Sequence, residues 1–160
     1  MPVANPVADA VSSLLKPLGF RRKSSSWYLE NDETVLIVNV QRSQFGPQYY
    51  LNFSVVIRAI STVPQPKEYH GDIRFRLEET LPAHSRELCK KLLNLEYPLS
   101  DDERSLRLVE LIKRHGLRLL LTCNSEAGLK EALESKSLPD WTFSSAARAH
   151  LVERVTRASI

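Results

Sequence analysis

Cysteine, glycine and methionine are scarce in this chain: two, five and one of 160 residues. Cys89 and Cys123 can close at most one bridge, and each lies among leucines, so the expectation is two buried free thiols in a reducing compartment. Scarce glycine excludes a phosphate-cradling loop, because Gly46, alone before Pro47, cannot present a row of backbone amides. No apolar run exceeds four residues (35–38), against the ~20 needed to cross a bilayer. No basic segment precedes the apolar residues of the amino terminus, so no secretory signal is expected and the chain reads as cytoplasmic. An excess of one charge is missing too. Twenty-two basic residues are interspersed with 19 acidic ones for a net charge of +3, which leaves no large positive field to draw the chain onto nucleic acid or a membrane. His70, His84, His115 and His150 stand 14, 31 and 35 residues apart; these gaps match no local ligand pair, so neither a metal nor a cofactor is expected.

What is present is clear patterning. Residues 34–41 and 48–57 each alternate large apolar side chains with polar ones, and 42–47 join them as a hairpin turn. In the second run Tyr49, Leu51, Phe53, Val55 and Ile57 share one face, with Tyr50, Asn52, Ser54, Val56 and Arg58 on the other. Residues 20–30 predict one short strand or two halves of one, and 72–78 a fourth strand with the charged residues Asp72, Arg74, Arg76 and Glu78 outward. Asn5 before Pro6 and the stripe Val7, Ala10, Val11, Leu14, Leu15, Leu18 predict a helix over 6–18, ended by Gly19.

After residue 80 the period changes to about 3.6. Helices are predicted over 85–95, 100–115, 125–135 and 144–158, with 117–123 open between a short helix and a buried strand. Ser100 with Glu103 forms a capping box, and Leu106, Val109, Ile112 and Lys113 follow on successive turns. Ala147, Leu151 and Val155 are expected to face inward, Arg148, His150, Arg154 and Arg157 outward, and Trp141 to plug the core. Strands first and helices afterwards give an α+β fold, one domain over 1–160. Its antiparallel sheet of about four strands carries one polar face, and one amino-terminal and several carboxy-terminal helices pack on the other.

Several segments resemble a bacterial domain of unknown function, family 4304: residues 15–23 (Leu-Lys-Pro-Leu-Gly-Phe-Arg-Arg-Lys), Trp27-Tyr28, 39–46, Tyr49-Tyr50-Leu51-Asn52 and 69–78. The resemblance covers about 14–79 and implies a small α+β domain of bacterial type with no established activity, so it supplies no catalytic residues.

The polar sheet face holds the strongest candidate site. Asn39, Gln41, Asn52, Arg58, Arg74 and Arg76 offer amide and guanidinium donors for a carboxylate, phosphate or polypeptide, although such a face also serves simply to meet water. Phe45 and Tyr50 at the hairpin suggest a recognition surface, with Tyr49 core and Phe45 covered by the basic segment 21–23. The expectation is a non-catalytic module that binds another protein through this face and the hairpin 41–50, of which an immunity-type role is one form. The competing expectation is a small-ligand protein or enzyme whose anion is held by Arg58, Arg74 and Arg76. A third is nucleic-acid contact through Arg21, Arg22 and Lys23 with Trp27 or Tyr28 as a stacking ring, disfavoured by the mixed charge. Oligomeric state is not fixed by the sequence.

Overall fold

The period-two alternation of residues 34–57 builds the centre of one five-stranded antiparallel sheet, and strands added in chain order complete it. The computed structural model describes residues 5–158, with side chains through residue 152; Arg154, Val155 and Arg157 lie outside the described side chains. The strands are β1 (Arg21–Lys23), β2 (Ser26–Glu30), β3 (Thr34–Arg42), β4 (Tyr49–Ile57) and β5 (Ile73–Arg76), neighbours in space in that order. Segment 20–30 is two strands, turned at Ser24 with a φ of 57°. β3 and β4 pair from Thr34↔Ile57 to Arg42↔Tyr49. β5 is shorter than expected: Leu77 opens a 3-10 turn, Leu77–Thr80, so Glu78 leaves the sheet face. The Asp72 carboxylate accepts the N–H of Ile57 at 2.8 Å and so belongs to the sheet's end.

One face of the sheet carries the main core, in which Phe53 stacks on Phe75 with ring centroids 5.2 Å apart. Helices α1 (Pro6–Leu15), α2 (Ala83–Leu92), α3 (Asp101–Arg114), α4 (Gly116–Thr122), α5 (Glu126–Ser135) and α6 (Ser145–Ala158) and several short 3-10 turns accompany the sheet among the described residues. α1 stops three residues early because Pro17 has no N–H for the helical ladder, and a 3-10 turn carries the chain to Gly19. The 117–123 segment resolves as helix α4. Gly116 lies against the sheet: a β-carbon there would stand 2.5 Å from the Phe53 ring, so the α3–α4 junction packs where only glycine fits. Among the described residues no helix is long and apolar enough to cross a membrane.

Three expectations about the core are corrected. Trp141 is 64% exposed; Leu138, Thr142 and Phe143 are buried there instead, with Phe143 bridged to Ile73 at the edge of β5. Leu106 is 73% exposed, because the inward stripe of α3 is Arg104, Leu108, Leu111 and Ile112, spaced by the helical repeat from an arginine rather than a leucine. His150 turns inward and bonds to the Glu126 carboxylate.

Arg104 is 2% exposed. Its Nη1 donates to the carbonyls of Lys91, Leu92 and Asn94 (3.1, 2.7 and 3.0 Å), and Nη2 to that of Tyr97 (2.6 Å). The guanidinium thus closes the carboxyl-terminal end of α2, where the helix leaves carbonyls unsatisfied and its dipole is negative. Residues 93–95 then run beside the start of β4, with Tyr49 N–H donating to Leu93 and Leu95 N–H to Pro47.

Replacing Arg104 takes the guanidinium from four carbonyl oxygens, of which only those of Lys91 and Asn94 keep a backbone donor. Arg104→Ala is expected to destabilise the fold by about 3 kcal/mol or more. Urea denaturation checks this, with the exposed neighbour Arg107→Ala expected to cost under about 1 kcal/mol.

Candidate functional site

The outer face of the sheet divides into a dry end and a polar end. At the first, Val35, Ile37 and Val56 form a second apolar cluster with Tyr28 against it. The proline-punctuated connection to β5 crosses that end: Pro66 is buried, and the Ser54 hydroxyl donates to the Glu68 carbonyl at 2.8 Å. The expectation of a wholly polar outer face is therefore corrected. Val35, Ile37 and Val56 alternate with the core residues of their strands, and apolar side chains at those positions require a cover.

At the polar end cross-strand pairing sets Ser26, Asn39, Asn52 and Arg76 in one row across β2 to β5. Asn39 Nδ2 donates to Ser26 Oγ (2.9 Å), and Asn52 Nδ2 to Asn39 Oδ1 (3.1 Å) and Gln41 Oε1 (2.9 Å). Arg76 Nε donates to Asn52 Oδ1 (3.1 Å). Asn52 is only 6% exposed, and all its amide groups are matched. The Arg76 guanidinium lies 4.4 Å above the Tyr50 ring, a cation–π contact. No hydrogen bond among the described residues uses Arg76 Nη1 and Nη2 or Gln41 Nε2. The ladder absorbs its acceptors internally and leaves donors outward, so the exposed chemistry suits a partner rich in oxygen acceptors.

Of the residues picked out from the sequence, Asn39, Gln41, Asn52 and Arg76 come together. Tyr49 is buried, whereas Phe45 is 90% exposed at the hairpin tip. The basic segment does not cover it, because β1 reaches only to the level of Asn39, three residues short of the hairpin turn. Arg74 grips Glu68 through two bonds, Nε–Oε1 at 3.0 Å and Nη2–Oε2 at 3.2 Å, which ties the covering connection to β5. Arg58 stands past the end of β4, four residues and ~13 Å along the strand from the residue opposite Arg74. Its Nε donates to the Asn31 carbonyl at 2.6 Å, and Nη2 lies 3.6 Å from Glu30. A cavity of about 300 Å³ between sheet and connection is lined by Val35, Val56, Arg58, Val63, Pro64 and Pro66, and it contains neither Arg74 nor Arg76. The three arginines do not form one anion site.

Sequence reasoning placed Tyr50 at the hairpin but missed its contact with Arg76, and missed Ser26 altogether. The signal for both was register: Ser26 faces Asn39, and Tyr50 stands two residues along β4 from Asn52, which faces Arg76. The stacking ring of the nucleic-acid reading is also corrected. Trp27 is buried, its Nε1 donating to Ser12 Oγ at 3.1 Å, and Tyr28 packs against the second apolar cluster.

Two other groups of titratable residues stand out. Cys89 and Cys123 are free and buried. Burial pushes the Cys89 thiol up to about 12, helped by the negative charge of Glu78, and burial pushes Cys123 up to about 11. At the sheet's far end the Asp72 carboxyl is raised by burial against the lowering influence of the Ile57 N–H and His150. Among the described residues no three His, Cys, Asp or Glu side chains gather as a metal site.

A family model described as a domain of unknown function, DUF4304, matches residues 11–120, a span from within α1 through most of α4 that contains the whole sheet. No curated protein and no solved structure matches the chain.

Neither thiol is poised as a nucleophile, and iodoacetamide at pH 8 is expected to leave both unmodified in the folded protein and to label both in urea, as read by intact mass. A raised Asp72 contributes stability that is complete below the ordinary carboxylate range, near pH 4, and is lost as pH rises through its folded value. Asp72→Asn keeps an acceptor for Ile57. It is expected to be more stable than wild type at pH 7 and to lose that advantage below about pH 4, as followed by thermal melts across pH.

Proposed function

The chain belongs to the DUF4304 family of domains of unknown function, and we propose that it is a non-catalytic, bacterial, cytoplasmic module that binds another protein through the polar end of its sheet and the β3–β4 hairpin. The observation that carries this reading is the pairing of a bare Phe45 at the hairpin tip with an outward surface made of donors, Gln41 and Arg76, on a pre-ordered ladder. An exposed aromatic and an aromatic-stacked arginine on one end of the sheet are residue types enriched at interface hot spots. The ladder holds Arg76 in place before any partner arrives, which lowers the entropy lost on binding.

Two inert thiols favour binding over thiol-based catalysis. Free buried cysteines support a reducing compartment. An immunity-type role, masking an acceptor-rich surface of a toxin, is one form that such binding takes. The competing small-anion reading, built on Arg58, Arg74 and Arg76, has less support because Arg58 is spent on Asn31 and Glu30 and Arg74 on Glu68, which leaves Arg76 alone with both Nη groups free among the described residues.

Affinity capture from the native host with mass spectrometry tests the reading. Wild type is expected to retain one stoichiometric protein that Phe45→Ala and Gln41→Ala together release, with Phe45→Ala keeping the wild-type melting temperature because its side chain is exposed, and Gln41→Ala costing about 1 kcal/mol through the lost bond from Asn52 but staying folded. Retention of that protein by the double variant, or its loss from Arg58→Ala instead, would overturn the assignment of the surface.

A further inference from the structure

A cleft lies among the helices, apart from the polar end of the sheet. The α3–α4 junction breaks at His115, whose backbone (φ −117°, ψ −87°) ends one helix and starts the next. Because Gly116 is pressed against Phe53, this break is anchored to the core. It aims Arg114, His115 and Arg118 along one wall of a cleft of about 440 Å³, with Glu131 of α5, Thr80 and Thr122 among the other lining residues. That volume falls in the range of small-molecule sites.

The charges that line the cleft are only partly paired. Arg114 is paired with Glu110, one turn back on α3, at 3.0 Å. Arg118 and Glu131 line the same cleft yet form no ion pair with each other, nor does either make a side-chain hydrogen bond among the described residues. Opposite charges that share a cavity without closing on each other leave room for a molecule between them. The hydroxyls are committed in a complementary way. Thr80 donates to the Leu77 carbonyl (2.7 Å) and Thr122 to the Leu119 carbonyl (2.6 Å), so toward the cleft both have only acceptor capacity left. One wall therefore offers guanidinium and imidazole donors, and the remainder offers carboxylate and hydroxyl acceptors.

We propose that this cleft binds a small polyhydroxylated anion, a sugar-like molecule whose phosphate or carboxylate is held by Arg118 and His115 and whose hydroxyls donate to Glu131, Thr80 and Thr122. A simple inorganic anion satisfies only the first set, and a neutral sugar only the second. Glu131 disfavours the bare anion by repulsion, which makes the hydroxyls part of the recognition.

Amide chemical shifts of the full chain, titrated with ribose 5-phosphate, gluconate, ribose and inorganic phosphate, test this. Saturable shifts confined to 79–81, 114–122 and 128–137 are expected with ribose 5-phosphate or gluconate, and whichever binds identifies the anionic group. Arg118→Gln, an exposed substitution, is expected to weaken that binding by about tenfold or more. Glu131→Gln is expected to narrow the preference over inorganic phosphate, because it weakens the hydroxyl contacts and removes the repulsion. The proposal is overturned if neither compound gives saturable shifts up to about 10 mM. It is equally overturned if inorganic phosphate binds as tightly as the better compound, or if Arg118→Gln leaves the affinity unchanged.

Discussion

One buried guanidinium organises the carboxy-terminal half of the structure. Arg104 has no carboxylate partner in the interior; four main-chain oxygens at the end of α2 and in the turn beyond it take the place of one. Removing a charge from water costs several kcal/mol, so the arrangement holds only while those oxygens all stay aimed at it. That requirement ties α3 to the end of α2, and the held segment 93–95 in turn lies along the first residues of β4. The base of the β3–β4 hairpin is thereby fixed from the helical half of the chain. Nε of Arg104 has no partner, a residual cost that this geometry tolerates.

The sheet's outer face follows a similar logic with neutral groups. A row of amides in a meander can satisfy itself sideways, and the chain of donors from Arg76 through Asn52 and Asn39 to Ser26 does so over four strands. Such a row is costly if any member is left unmatched and rigid when all are matched. What remains outward is set by arithmetic, since acceptors are used up inside and N–H groups are left over. The two ends of the face serve different purposes: the dry end seats a connection, and the polar end is open.

Much of this was legible in the residues. Period-two alternation gave β3 and β4 to within a residue or so, Asn5 with Pro6 gave the start of α1, and Ser100 and Ser125 marked the starts of α3 and α5. These signals are local, and local stereochemistry decides them. The misses were tertiary. Nothing in the spacing of α3 says that an arginine rather than Leu106 faces inward, because the oxygens that receive it belong to another element. Trp141 has the composition of a core residue, but Phe143, two positions on, continues the sheet edge and takes the interior instead. Asn39, Gln41, Asn52 and Arg76 were identified as one face, whereas Arg58 and Arg74 were grouped with Arg76 by type and side alone. The partners that claim them, Asn31, Glu30 and Glu68, come from turns whose paths the pattern did not reveal.

The borders of the sheet have a consequence for crowded solution. Beyond β5, Phe143 bridges Ile73 and Ser144 N–H meets the Asp72 carbonyl, while 93–95 occupy the same side farther along β4. That margin has little main chain left to offer. The opposite margin is β1, three exposed basic residues long, and two copies meeting there would set like charges face to face. Neither side is a template for strand-by-strand growth, so a protein with this much β-structure is built to remain a discrete particle rather than to seed fibres.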